Sequence, residues 1–376
     1  MMGDVPWELF KSISVPIKLP SLEYIKGSWK EDPHTNIIIQ KDAIHVLDKA
    51  NEWELRKKIT NPYEAIFSGS ETNIFPSMAA IQPLSRSYFK MVEMLDVMQF
   101  WDSITGPFHT AHVCEGPGGF LQHIVEEAKA RRLSFQNAYA MTLKSTRSFI
   151  PGWKKSSRFL RLHPEIKLEY GIDQTGNILF SKNQEAFCSV AKGAALFTAD
   201  GGFDFSLDYA KQEESAFPLL LASILMGLKS LARGGAIIVK LFDMYSPLTR
   251  DLILGTAAQF KSFMIYKPAT SRPCNSERYF IAQGYFGMEK STSWCKHLEN
   301  AQTIQVRRLV SEEWPTQLLD AFREQIEWQE HMQIESIHTA ISLEKKDIPQ
   351  MIRHAMEVSK MWCERFNIPL LRSLPV

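Results

Sequence analysis

At 376 residues with 45% hydrophobic content, the chain can bury one large core with elaborations, or two domains. Its 43 Lys and Arg against 42 Asp and Glu exclude a polycation, so any nucleic-acid binding must come from a local patch. Five scattered cysteines (Cys114, Cys188, Cys274, Cys295, Cys363), without a C-x-x-C pair, fit a reducing compartment and argue against a disulfide framework and a zinc site.

The opening stretch MMGDVPWELFKSISVPIKLP lacks the apolar core of a secretory signal. The longest apolar run, AFPLLLASILMGL (216–228), is too short and interrupted to span a bilayer. The expectation is a soluble intracellular protein, nuclear or cytoplasmic. Residues 1–75 mix Pro, charge and aromatics around one helical stretch, AIHVLDKANEWELRKKI, and read as an N-terminal extension. SRSYFKMVEMLDVMQFWDSI (85–104) has apolar residues at helical spacing and is expected to be a helix.

From about residue 108, short apolar runs alternate with helical stretches, the βαβ signature of a mostly parallel sheet covered on both faces. The strand-like runs are TAHVCE, NAYAMTL, AALFTAD, GAIIVKLF, FKSFMIYKP and RYFIAQGYF. Beyond about 290, SEEWPTQLLDAFREQIEWQEHM and DIPQMIRHAMEVSKMWCERF read as amphipathic helices that cover or extend the sheet. The fold class is therefore α/β and Rossmann-like, with the sheet-forming domain at 76–290 between an extension at 1–75 and helices at 291–376.

In an open parallel sheet, ligands bind outside the carboxyl ends of the strands. Glu115, Thr142, Asp200, Lys240 and the loop before Glu277 all fall at or near such ends. The turn in VCEGPGGF runs Gly116, Pro117, Gly118, Gly119, Phe120 and opens a helix, an arrangement that admits close approach of a ligand or another backbone. It lacks the third glycine of a dinucleotide fingerprint, which argues against NAD or FAD. Asp200 ends a buried strand before two glycines, where it could equally cap a turn. Lys240 is the one charge in the apolar strand GGAIIVKLF; it needs a carboxylate neighbour, a lowered pKa, or an outward reach to solvent. Glu277 on its polar loop and Lys90 on its helix are, taken singly, ordinary surface residues.

Taken together, Lys90, the Gly-Pro-Gly-Gly turn, Asp200, Lys240 and Glu277 resemble the Lys-Asp-Lys-Glu tetrad and cofactor turn of FtsJ-like ribose 2′-O-methyltransferases. SRSYFKMVEM, VCEGPGGF, AMTLK, ADGGFDF, VKLFDMYSPLT and KPATSRPCNSERYFIAQG most resemble the cap-specific mRNA enzymes of eukaryotes and large DNA viruses. The resemblance covers about residues 80–290. It implies S-adenosylmethionine as cofactor, held by Ser85 and by Glu115, Gly116, Pro117, Gly118, Gly119 and Phe120. It implies a further contact to the adenosine at Asn177, where the family carries an acid. It implies capped mRNA as partner, with Lys211 and Gln212 near its first nucleotides; the chemistry needs no metal, and no His/Cys/Asp cluster with ligand spacing is visible. Other capping or transcription components are possible partners.

Between Lys144 and Arg161, KSTRSFIPGWKKSSRFLR holds six basic residues and no acid. It is either a solvated face or a phosphate grip, with Lys154, Lys155 and Arg158 on the RNA and Phe149 or Trp153 free to stack on a base. The chemistry asks for an alcohol held in near-attack geometry and relieved of its proton. Burial and the second cation Lys90 are expected to pull Lys240 down far enough to act as base, with Asp200 and Glu277 orienting the two ammonium groups. Four coupled groups leave open whether Lys240 or an acid takes the proton first. The expected function is methylation of the first transcribed nucleotide of capped mRNA. The alternatives are a ribosomal RNA, transfer RNA or second-cap-nucleotide enzyme, or a silent RNA-binding or polymerase-accessory module. An oxidoreductase is disfavoured by the glycine spacing and by the lack of an acid ending AYAMTLKS.

Overall fold

The structure is a computed structural model that describes residues 12–14, 16–31, 35–44, 47, 52–68, 75–144, 150–202 and 211–371. Seven strands form its central sheet: β1 (Phe108–Val113), β2 (Phe135–Met141), β3 (Ile166–Glu169), β4 (Ala194–Ala199), β5 (Leu231–Leu241), β6 (Ser262–Tyr266) and β7 (Arg278–Gln283). Their order is β3-β2-β1-β4-β5-β7-β6. All pairings are parallel except those of β7, which runs antiparallel to both β5 and β6. The six strand-like runs read from the sequence are all strands. The seventh, β3, is a short edge strand with the mixed sequence IKLE and carries no apolar run to announce it.

Side-chain alternation divides the core between the two faces, as period 2 requires. Phe197, Ile237 and Val239 pack on one face with Leu225 and Leu228 of α4 (Gln212–Ser230) and Trp294 of α6 (Met288–Ala301). Leu196, Ile238 and Ile281 pack on the other with Met94 and Leu95 of α1 (Ser87–Val97) and Ile124 of α2 (Gly119–Ala130). The helical reading of 85–104 resolves into α1 and a separate 3-10 turn at Phe100–Ser103, with Gln99 in a left-handed conformation between them. Helices α3 (Ser181–Val190) and α5 (Pro247–Ala257) complete the α/β layers.

Flanking segments reach the sheet from both termini. Ile13 exchanges two backbone hydrogen bonds with Phe263 of the edge strand β6, at 2.8 and 3.1 Å. From α7 (Thr316–Ser342), Gln325 accepts the Ile265 N–H at 2.8 Å and Gln329 donates to the Ile265 carbonyl at 2.8 Å. Helix α8 (Ile348–Arg365) packs Trp362 edge-on against Phe89 of α1, at 5.7 Å between ring centroids. No helix among the described residues is long and apolar enough to cross a membrane.

Candidate active site

The reversed direction of β7 places its first residues at the carboxyl edge of the parallel strands: Lys240 pairs in register with Tyr279, and Leu241 with Arg278. Glu277, just before β7, therefore lies at the same edge as Asp200 after β4 and Lys240 near the end of β5. The helix α1 brings Lys90 to that edge. The structure thus gathers the four tetrad residues from four elements.

They form two ion pairs. Lys90 Nζ lies 2.6 Å from Glu277 Oε1, and Lys240 Nζ lies 3.3 Å from Asp200 Oδ1 while donating to the Asp200 carbonyl at 2.8 Å. Each of the four side chains is 13–16% exposed, so most of each lies inside the protein. Tyr279, fully buried, donates its hydroxyl to Asp200 Oδ1 at 2.9 Å, and both acids push that phenol well above its ordinary range beyond the dominant effect of burial. Ser271 donates to Glu277 Oε1 at 2.8 Å. Burial alone would raise Glu277, but Lys90, Lys240 and Lys267 outweigh it and hold the carboxyl down to about 2.

Lys240 behaves differently from the expectation drawn from its sequence context. Burial does pull its ammonium down, but Asp200 and Glu277 act in the opposite sense and prevail, so it is held above its ordinary value. The apolar strand predicted the burial, while the two facing acids reverse its outcome. In this geometry Lys240 is a cation.

Around the Gly-rich turn, the bareness of the glycines serves packing within the protein. A Cβ on Gly116 would strike the backbone of Gly152, and one on Gly119 would strike Ser85 and Ser87. Gly118, at φ +103°, lies beneath the ring of Trp153. Ser85 and Ser87 share a hydroxyl hydrogen bond of 2.6 Å at the start of α1, and Ser156 donates to the Pro117 carbonyl. Pro117 thus takes part through its backbone. Phe120 turns inward and packs against Tyr279 at 5.8 Å between centroids. Glu115 is buried beneath the turn, where Thr198 donates to its Oε1 and His112 lies 3.4 Å away. Among the described residues its Oε2 is buried without a partner, and none caps the start of α2 through its side chain.

Asn177 sits at the end of the neighbouring strand β2: Gly176 before it packs directly on the Thr142 carbonyl. The Asn177 Oδ1 accepts the Leu179 N–H at 3.0 Å, so the side chain shapes its own loop. Lys154, Lys155 and Arg158 are exposed on the surface beside the Gly-rich turn. Trp153 is 9% exposed and lies over Gly118, so it is not free to stack on a base; Phe149 lies outside the described residues. Lys211 is exposed at the start of α4, whereas Gln212 is buried and accepts a hydrogen bond from Ser276 at 2.8 Å, next to Glu277. Residues 203–210, which join the Asp200 turn to Lys211, are outside the described residues. Among the described residues no cluster of metal-ligating side chains occurs.

Sequence reasoning passed over the supports of this site. Glu93, one turn beyond Lys90, is fully buried and accepts four hydrogen bonds: from Ala269 N (2.7 Å), Thr270 N (2.9 Å), Tyr266 OH (3.0 Å) and Trp362 Nε1 (3.1 Å). Burial raises its carboxyl, and those donors only partly offset it. Glu64, also buried, receives Arg272 through two nitrogens at 2.9 and 3.1 Å and tethers residues 61–67 to the Glu277 loop. Of these supports the motif SRPCNSERY contains only Arg272, and a periodic pattern does not separate a buried charge from an exposed one.

The FtsJ-like methyltransferase family matches residues 83–285, and the chain belongs to that family. It is similar to cap-specific mRNA (nucleoside-2′-O-)-methyltransferase 1 of Dictyostelium discoideum, at 32% identity over 260 residues, 65% of this chain and 33% of that protein. The proteins of the same name from Trypanosoma cruzi and Trypanosoma brucei brucei are each 28% identical to it, over 70% and 72% of this chain and 74% and 73% of their own lengths. The chain thus spans a third of the Dictyostelium relative.

Proposed function

We propose that the protein transfers a methyl group to a ribose 2′-hydroxyl of RNA, on the first transcribed nucleotide of capped mRNA. The observation that carries this reading is the pairing of Lys90 with Glu277 and of Lys240 with Asp200 at one edge of the sheet, with the Tyr279 hydroxyl on the Asp200 carboxylate. A binding module has no need of two cations and two anions held at this cost of desolvation.

S-adenosylmethionine fits the neighbouring turn. The uncapped start of α2 suits a carboxylate, and the unpartnered Glu115 Oε2 suits an ammonium, the two groups of an amino-acid end. Gly116, Pro117, Gly118 and Gly119 would hold that end through the backbone, with Ser85 alongside and Asn177 on the adenosine. When bound, the cofactor supplies a methyl group on a positive sulfur. Everything else falls to the chain's own side chains.

Lys240 and Lys90 hold the ribose hydroxyl between them and favour negative charge as it develops on that oxygen. Because Lys240 is already protonated, the Asp200 carboxylate, 3.3 Å from the Lys240 ammonium, would take the hydroxyl proton as the oxygen gains its methyl group and turns acidic. Glu277 keeps Lys90 oriented. Lys154, Lys155 and Arg158 bind phosphates, and Lys211 and Gln212 lie toward the first nucleotides. The test is transfer of label from S-adenosylmethionine to short RNAs that are capped, uncapped, or capped and already 2′-O-methylated. Label on the capped RNA alone is expected. Equal labelling of uncapped RNA would move the assignment to a non-cap substrate.

A further inference from the structure

Lys267 follows β6 directly and is 8% exposed. Its Nζ donates to the Asn275 carbonyl at 2.7 Å, to Asn275 Oδ1 at 2.9 Å and to the Glu277 carbonyl at 2.9 Å. An ammonium has three N–H donors, and these three oxygens use them all. The loop from 267 to 277 is thereby fixed at both ends: Glu93 on α1 takes the N–H groups of Ala269 and Thr270, and Lys267 takes the carbonyls at 275 and 277. The Glu277 carboxylate reaches Lys90 at 2.6 Å only while its own backbone stays in place.

We infer that Lys267 is a positioning residue of the methyl-transfer site, clamping the backbone of 275–277 so that Glu277 stays on Lys90. This rests on the reading of the site given above. A neutral amine has two N–H bonds and a lone pair, so it cannot serve three acceptors. The clamp therefore requires the proton. Burial works against that proton most strongly. Arg278 on β7 and Lys90 on α1 work with burial, Glu277 and Cys274 of the loop oppose it, and the ammonium is pulled down to about 7. Turnover should accordingly decline as the pH rises through that value.

The experiment follows kcat and KM of the full chain from about pH 6 to about pH 9, with S-adenosylmethionine and a capped short RNA. Lys267→Met should lower kcat by about tenfold to a hundredfold with little change in either KM, as misplacement of a reacting group does. It should also erase the decline. Asn275→Asp puts a carboxylate on the Lys267 ammonium and should move the decline upward by about one pH unit while keeping the activity below it. Glu277, held near 2, stays ionised throughout. Amide hydrogen exchange at 274–278, corrected for its own pH dependence, gives a second readout that needs no turnover. Protection should fall through about pH 7 in the wild type and about one unit higher in Asn275→Asp. A decline and an exchange transition that stay put in Asn275→Asp overturn the inference. If no RNA is methylated but the exchange transition moves, the clamp stands and the methyltransferase reading fails.

Discussion

Around β1 and β2 the carboxyl edge is shaped by packing, with Gly116 against Gly152, Gly118 under Trp153 and Gly119 against Ser85 and Ser87. Around β5 and β7 it is shaped by charge, with two ion pairs, Tyr279 on Asp200, and Glu93 and Lys267 bracing the Glu277 loop. The first half leaves no room for a Cβ at any of these three glycines. The second depends on the sign and place of each charge. Substitutions should therefore act differently on the two halves.

The largest effect falls on the charged half. Lys240→Ala should lower turnover by about 10²–10³, the loss of one charge-stabilising group, while cofactor affinity stays near wild type. Single-turnover methylation and calorimetry separate the two, and an equal loss in both would erase the contrast.

The charged half should also carry an acid signature. Glu277 sits at about 2 in the folded protein against an ordinary 4.5. Its contribution is complete above about 4.5 and is lost as the pH falls toward 2, on the order of 3 kcal/mol across that window. Urea unfolding at several acid pH values should show this slope, and Glu277→Gln should remove its share of it.

On the packed half, Gly116→Ala adds one carbon where the Gly152 backbone already lies. It should cost about 1–3 kcal/mol of stability, read by denaturant unfolding, and weaken cofactor binding with it. Full retention of both would mean that the 151–153 loop gives way freely.

Beside the turn, exchanging Lys154, Lys155 and Arg158 for Gln should flatten the salt dependence of RNA binding by about 2 in log–log slope, with the cofactor unaffected. An unchanged slope restores these residues to a solvated face. The smallest effect belongs to Asn177→Asp, which keeps the bond to Leu179 N and adds a charge beside the adenosine position. Calorimetry should show cofactor binding tighter by about 1 kcal/mol.

Sequence showed the two halves unequally. Strand ends were legible because buried apolar runs stop where Asp200 and Lys240 begin, and the glycine run marked its own turn. The antiparallel course of β7 was not, since a strand's direction leaves no trace in its composition. Buried Glu93 and Lys267 read like surface residues, and only their partners distinguish them. Trp153 misled in the opposite way: set among six basic residues, it read as a stacking platform, yet it covers Gly118.

The cover over β6 has a consequence for self-association. A strand at the end of a sheet is a template for any other strand that meets it. Here the outward N–H and C=O groups of Phe263 and Ile265 are taken by Ile13, Gln325 and Gln329 of the same chain. Those three residues lie on either side of 83–285, the span that matches the family. A protein trimmed to that span would keep every tetrad residue but expose the bare edge, and its first new partner would be a second copy of itself.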